Sequence, residues 1–408
     1  MTSVVKRKSI SKILEFAYLF ILAVFVFWAI INTTKFNVVW PTYFYDDLKT
    51  LLLVVIIIKA GFIGNYRSRD IVLIGMVGIA ILFNINRNGY WDLEILLLLM
   101  IGAQGIDFKK IVKVYFAVMT VLLVITIFSA LTGRIENLVY LQEGRSRMAL
   151  GIGYPTDLSA YVFYGLLAYI YIRGKKIKYI ELLIGFVLGI AVYWITDARL
   201  NAICIIGTIM IFAYMKIRCQ YAEKSENTYK MNGIWSFLLA LSPVFCSGFM
   251  IFVSILYSSG SAITNFLDRV LNYRLYQSNK AINIYGFTFW GQHIPMQGYG
   301  GTTEMPKHYF FLDSSYISIV MQYGLLFFGI ILFIWITISF RAREEKDWTL
   351  LWIVAIFSVQ CMIEHHMLDI AYNPFVWALL ANTVVDSEKK IFIPFSRKIR
   401  GKKYEKQG

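Results

Sequence analysis

Residues 114–133 read VYFAVMTVLLVITIFSALTG, a run of twenty residues without a charged side chain. A helix of this length and composition can cross the hydrocarbon core of a bilayer, which needs about 20 apolar residues. Similar runs recur along the chain from Ile13 to Val385. We therefore predict an all-α polytopic membrane protein, with lipid as the solvent for most of its surface.

The overall composition supports the same fold class. Of the 408 residues, 58% are hydrophobic and 16% are charged, whereas soluble proteins are about 45–50% apolar and 25% charged. This excludes a disordered protein, a disulfide-rich scaffold and a soluble enzyme. The four cysteines form no Cys-x-x-Cys pair, so bulk packing is their default interpretation.

The apolar runs predict about twelve transmembrane helices, which places both termini on one side of the membrane. The predicted spans are near 14–32, 48–64, 71–85, 91–106, 114–133, 157–172, 179–196, 199–215, 233–257, 314–338, 348–363 and 369–386. This divides the chain into helices 1–9 (1–257, with a medium loop at 134–156), a large loop carrying short helices (258–313), helices 10–12 (314–386) and a basic tail (387–408).

The charge distribution predicts the orientation. Most of the 40 Lys and Arg residues, which give a net charge of +15, fall in one alternating set of connecting segments that includes both termini. Cytoplasmic segments carry such an excess, so we expect both termini and the tail in the cytoplasm and the loops at 134–156 and 258–313 outside. Because topology accounts for the basicity, we expect no nucleic-acid partner.

Polar residues concentrate in four patches on the predicted outer face. Arg145–Asp157 contains Arg147, Tyr154 and Asp157, and a tight turn contains Asp197 and Arg199. An arginine guanidinium can donate two parallel hydrogen bonds to the oxygens of one phosphate, and a helix N-terminus adds backbone N–H donors. The competing interpretations are arginines that meet lipid headgroups and an Asp–Arg pair that closes a helical hairpin.

The other two patches belong to the large loop. One contains Arg269, Tyr273 and Arg274, and the other contains His308, Asp313 and Tyr316. Asp313 is a candidate general base, although it is also placed to cap the following helix. Asp157, Glu304 and His308 are further candidates for that proton-accepting role.

A separate cluster, Glu364-His365-His366 with Asp369, lies near the last outer hairpin. These residue types ligate metal ions, but their spacing matches no known zinc-protease motif. The sequence favours a polar helix turn, so we expect no metal and no cofactor.

The order of these patches resembles the O-antigen polymerase and ligase superfamily, specifically Wzy-type polymerases of capsule, exopolysaccharide or O-antigen pathways. The resemblance rests on the Arg147–Asp157 loop, the Asp197-Ala-Arg199 turn, and a late loop with Arg274-Leu, Gly298-Tyr-Gly and Asp313-Ser-Ser-Tyr316. It implies a GT-C-like bundle in the bacterial cytoplasmic membrane. The implied activity joins oligosaccharide repeat units carried on undecaprenyl diphosphate at the outer face.

The resemblance also implies roles for individual residues. Arg147, Arg199 and Arg274 match arginines that bind the lipid-linked diphosphate, and Asp313 stands near the position of a histidine in the ligase branch. We expect Arg274 and Asp313 to be catalytic. The expected substrate-binding residues are Arg147, Arg199, Arg269, Tyr273, Tyr154, Asp157, Tyr316 and His308. Membrane lipids, a flippase and a chain-length regulator are further candidate partners.

Three alternative functions remain open at this point. A lipid-linked oligosaccharide flippase would need charged groups within the bundle and internal repeats, and neither is evident in the sequence. A ligase would use the same chemistry with a different acceptor. A membrane scaffold with a glycan-binding loop would have no activity.

Overall fold

The structure, a computed structural model, describes residues 2–63, 68–90, 92–142, 144–224 and 231–383. Most of these residues are helical. The α-helices, in chain order, are α1 (Thr2–Ile31), α2 (Phe44–Ile63), α3 (Ser68–Asn88), α4 (Asp92–Ala103), α5 (Phe108–Leu131), α6 (Pro155–Arg173), α7 (Tyr179–Thr196), α8 (Arg199–Lys224), α9 (Gly233–Ala240), α10 (Ser242–Leu256), α11 (Ala262–Val270), α12 (Arg274–Tyr285), α13 (Ser315–Gln322), α14 (Gly324–Glu344) and α15 (Trp348–Gln360). A β-hairpin between α5 and α6 pairs β1 (Val139–Gln142) with β2 (Arg145–Met148).

The helices are those of a multi-pass membrane protein, but the predicted number of spans is not found. Among the described residues, five helices are long and apolar enough to cross a membrane: α1, α5, α7, α8 and α14. A sixth span results if α9 and α10, which meet at a 52° bend, are counted together. The all-α membrane class is confirmed at this level, and the expected twelve spans are not.

Part of the difference comes from predicted spans that are short, divided or not helical in the structure. The helices α4 and α15 contain 12 and 13 residues, about 18–20 Å at 1.5 Å per residue, which is less than a bilayer core. The run predicted as a span at 314–338 is divided into α13 and α14, because Gly324 has φ +86°. In the described part of 369–386, the chain forms turns and a short 3₁₀ helix over Phe375–Leu379.

The long helices bury one side against the rest of the protein and expose apolar side chains on the other. In α7, Leu182, Gly185 and Val192 are buried, while Leu183 and Val187 are more than half exposed. Exposed apolar side chains on such a helix suit contact with lipid. Large buried aromatic residues, including Tyr18, Trp335 and Trp377, fill the interior between the helices.

Several helix ends come together at one end of the bundle. The hairpin β1–β2 lies against the end of α7, where Arg147 bonds the Thr196 carbonyl. The start of α8 meets the start of α6 through Asn201 and the Thr156 carbonyl. The start of α13 meets the segment after α15, because Ser315 donates to the Glu364 carbonyl. The loop 258–313 also carries the short helices α11 and α12, while the predicted tail 387–408 lies outside the described residues.

Candidate functional site

Arg274 is fixed in place by the way α12 begins. Asp268 Oδ1 accepts hydrogen bonds from the amides of Leu275 (2.9 Å) and Tyr276 (3.1 Å), which satisfies the first turn of that helix. Tyr273, just before the helix, has φ +63°. This sharp change of direction turns the chain so that Arg274 becomes the first helical residue.

The Arg274 side chain holds three different segments together. Its Nε lies 3.3 Å from Asp313 Oδ2 and donates to the Ile363 carbonyl at 3.3 Å. Its Nη1 donates to the Asn272 carbonyl at 3.0 Å. The side chain is 14% exposed. Burial alone would lower the pKa of Arg274, but the carboxylates of Asp313 and Glu364 outweigh it and raise that pKa.

Three further arginines contact the turn between α7 and α8: Arg145, Arg147 and Arg199. Arg147 is 7% exposed, and its Nε donates to the Thr196 carbonyl at 2.8 Å. Asp197, which follows Thr196 in the chain, has φ +45°. Its carboxylate forms ion pairs with Arg145 (2.9 Å) and Arg199 (3.4 Å). Arg199 is 62% exposed, so the Asp–Arg pair that closes the hairpin is present and leaves most of that guanidinium open.

Tyrosines connect Arg147 with the large loop. The Arg147 guanidinium lies 5.5 Å from the ring centre of Tyr154, a cation–π distance. Tyr154 stacks on Tyr299 at 5.4 Å, and Tyr299 contacts Tyr309 at 5.7 Å. Tyr309 and Tyr154 also make small contributions to the raised pKa of Arg274, so both rings lie in its neighbourhood. We call these five residues (Arg147, Tyr154, Arg274, Tyr299 and Tyr309) the arginine–tyrosine cluster.

A second group lies beside the first, and we call it the polar cluster: Asp157, Asn201, Glu364, His365 and His366. The Asn201 amide donates to Glu364 Oε1 at 3.2 Å. His366 Nε2 lies 3.6 Å from Asp157 Oδ1 and 3.8 Å from Glu364 Oε2. The His366 ring stacks on Tyr372 at 3.8 Å. The predicted helix turn is not formed, since α15 ends at Gln360 and the chain continues in turns.

Burial dominates the ionisation of the polar cluster outside the helices. It raises the pKa of Glu364 to about 8; Arg274 opposes this change, and Asp313 and Asp157 add to it. Burial lowers the pKa of His365 to about 4, with His366 adding to the effect, and lowers that of His366 to about 3. Both imidazoles are therefore neutral at physiological pH.

A cavity of about 740 Å³ adjoins the polar cluster. His365 and Asp369 form part of its wall. The rest is mainly aromatic and apolar, with lining side chains that include Trp28, Tyr45, Met296, Phe311 and Tyr323. Such a surface suits the rings or chain of a ligand whose charged part is held by nearby polar groups.

Six of the expected residues are not members of these clusters. Asp313 pairs with Arg274 and Arg199 pairs with Asp197, and the other four lie apart. Arg269 and Tyr273 line a separate recess of about 500 Å³. His308 is exposed in the loop. Tyr316 is fully buried and donates to the Ser358 carbonyl at 2.8 Å, so it packs within the bundle and we do not retain it as a substrate contact. Neither of the two cavities is lined by Arg147, Arg199 and Arg274 together.

Sequence reasoning did not identify Asn201, Tyr299 and Tyr309 as members of the site. Asn201 is a polar residue in an apolar helix two positions after Arg199, which is a usable signal because a buried amide needs partners. The tyrosines gave no such signal, since Tyr is also common at membrane interfaces.

Comparisons with protein-family models, curated proteins and solved structures give no match to this chain. Its function is therefore inferred from the geometry of the two clusters and the adjoining cavity.

Proposed function

We propose that the protein is an integral-membrane glycosyltransferase of the polysaccharide-polymerase type, with a GT-C-like bundle. It transfers a growing glycan from undecaprenyl diphosphate to an incoming lipid-linked repeat unit. The reaction takes place at the outer face of a bacterial cytoplasmic membrane, with both termini in the cytoplasm. The products are surface polysaccharides such as capsule, exopolysaccharide or O-antigen.

The observation that carries this proposal is the environment of Arg274. A largely buried guanidinium stands at the end of a helical bundle, tied to the large loop through Asp313 and to the segment after α15 through Ile363. A fixed cation in a water-poor site lowers the energy of developing negative charge more than a mobile cation in water does. The diphosphate leaving group develops such charge as the anomeric C–O bond breaks.

Arg147 supports the same role from the opposite side of the tyrosines. Its side chain is buried and oriented by Thr196 and Tyr154, so little conformational freedom remains to be lost when an anion binds. Arg199 contributes an exposed guanidinium at the neighbouring turn. In this proposal Arg274 and Arg147 hold the diphosphate from fixed, largely buried positions, and Arg199 adds a more exposed positive charge.

Asp313 is the proposed general base. The acceptor hydroxyl gives its proton to this carboxylate while its oxygen bonds the anomeric carbon of the growing chain. The bond from that carbon to the diphosphate oxygen breaks, and the undecaprenyl diphosphate leaves with the electron pair. The aromatic wall of the 740 Å³ cavity offers stacking surfaces for sugar rings near this point.

The direct test is turnover by the purified full-length protein in lipid nanodiscs. The probe is the undecaprenyl-diphosphate-linked repeat unit isolated from the source cells, and the readout is glycan length on a gel. We expect a ladder of products with the wild-type chain and no ladder with Asp313→Asn. Absence of chain growth by folded wild-type protein would contradict the proposal.

A cellular comparison separates polymerase from flippase. Deletion of a polymerase leaves single repeat units on the outer leaflet, whereas deletion of a flippase leaves them on the inner leaflet. We expect accumulation on the outer leaflet. Accumulation on the inner leaflet would favour the transporter function instead.

A further inference from the structure

The two histidines of the polar cluster have buried ring nitrogens without hydrogen-bond partners. His366 is 1% exposed, and neither its Nδ1 nor its Nε2 has a partner; the same is true of His365 Nδ1. Buried polar atoms nearly always have a partner in native proteins. The His366 Nε2 distances of 3.6 Å to Asp157 and 3.8 Å to Glu364 are too long for hydrogen bonds.

These distances suit ligands around a metal ion. With bonds of about 2.0–2.1 Å, the ligand atoms of tetrahedral zinc lie about 3.3 Å apart. Glu364, His365 and His366 each offer a donor atom, and the three atoms lie within 4.8 Å of one another. Asp157 adds a carboxylate oxygen facing His366 Nε2. We propose that Glu364, His365, His366 and Asp157 bind a divalent transition-metal ion, with Zn²⁺ the best match to two imidazoles and two carboxylates.

The backbone explains how two consecutive histidines and the preceding glutamate can converge. On an α-helix, consecutive side chains point about 100° apart, but here the segment after Gln360 is in turns. Ser315 fixes this segment by donating its hydroxyl to the Glu364 carbonyl (2.6 Å) and accepting the Met367 amide (3.2 Å). The donor atoms are therefore held together before any ion arrives.

The surroundings of the ligands supply the support that metal sites require. The Asn201 amide holds Glu364 Oε1 and leaves Oε2 directed towards His366, as an outer partner that orients a ligating carboxylate would do. Arg274 forms its ion pair with Asp313. Among the described residues, no lysine or arginine lies within ion-pair distance of Asp157 or Glu364, so a bound cation would balance the negative charge that these two largely buried side chains carry as ligands.

The test uses the full-length protein in detergent, stripped with EDTA and then titrated with Zn²⁺ in competition with a fluorescent chelator. Because no glycan substrate is present, failure of this inference is distinguishable from failure of the proposed function. We expect one saturable Zn²⁺ site per chain. His366→Gln and Glu364→Gln should each weaken it by at least about 100-fold, the upper end of what loss of an outer partner costs.

His293→Gln is the matched control, because His293 is exposed, stacks on Tyr90 and is not one of the proposed ligands. It should leave the Zn²⁺ affinity unchanged. Glu364→Gln keeps the side-chain size and the acceptor for Asn201, so it decides the result if His366→Gln does not fold. Lack of a saturable site in the wild type, or unchanged binding in both ligand variants, would overturn the inference and leave bridging waters as the partners of His366.

Discussion

At the scale of single residues, Arg147 and Arg199 come from two different polar patches that are expected to share one role, but they occupy opposite environments. Arg147 is 7% exposed and bonds the Thr196 carbonyl, whereas Arg199 is 62% exposed. The sequence analysis assigned both arginines to the site. The difference in their burial arises because the β-hairpin places Arg147 against the end of α7. A spacing pattern contains no such long-range information.

The first prediction follows from this contrast. Arg147→Ala should lower the free energy of unfolding by about 1–3 kcal/mol, because it leaves the buried Thr196 carbonyl without its donor. Arg199→Ala, the control at an exposed position, should change it by less than about 0.5 kcal/mol. Urea unfolding in detergent checks both values. Equal effects of the two substitutions would contradict the orientation of Arg147 described here.

A second prediction concerns Asp268, which caps α12 and so positions Arg274. Asp268→Ala should cost about 1–2 kcal/mol, since it removes the acceptor for two amides at the helix start. Asp268→Asn keeps an acceptor oxygen and should cost less. Thermal unfolding of the two variants measures the difference. If Asp268→Asn is as destabilising as Asp268→Ala, the negative charge and not the cap is the important feature.

At the scale of elements, apolar runs predicted where many helices lie but not where each one stops. The prediction of a span at 114–133 corresponds to α5. The prediction at 369–386 is wrong over its described part, because Phe375, Val376 and Trp377 are buried by other parts of the protein in a short 3₁₀ helix. An apolar residue that faces protein has the same hydropathy as one that faces lipid, so composition does not separate the two.

The break between α13 and α14 gives a third prediction. Gly324 has φ +86°, and a Cβ there would clash with the Gly291 amide nitrogen and the Phe289 carbonyl. Gly324→Ala should therefore destabilise the fold by more than about 1 kcal/mol. Gly329→Ala, within α14 and with open space around its Cβ position, should be neutral or slightly stabilising. Melting temperatures measured side by side test this; similar values for the two variants would refute the packing of the loop against Gly324.

At the scale of the whole molecule, the site is made of segments far apart in sequence. Arg274 contacts Asp313 and Ile363, and Asn201 reaches Glu364. The sequence located the polar patches, and the expectation of a loop with short helices agrees with α11 and α12. It did not reveal which patches touch, because the pairing depends on how the ends of α6, α8, α12 and α13 pack at one end of the bundle.

A fourth prediction tests the orientation in the membrane. In a variant whose four native cysteines are replaced, Met305→Cys should react with a membrane-impermeant maleimide in intact cells. Lys175→Cys, on the short segment between α6 and α7, should react only after lysis. Both positions are exposed, so accessibility to water is matched. The reverse pattern would place the two clusters on the cytoplasmic side and contradict the proposed location.

The central claim is that Arg274 binds the diphosphate carried by the lipid-linked glycan. Its most direct test is the length of the surface glycan in cells that express Arg274→Ala at the wild-type protein level, with Lys175→Ala as the control that removes an exposed positive charge. We predict that the polymer ladder collapses to single repeat units with Arg274→Ala and is unchanged with Lys175→Ala. An unchanged ladder with Arg274→Ala would contradict the claim.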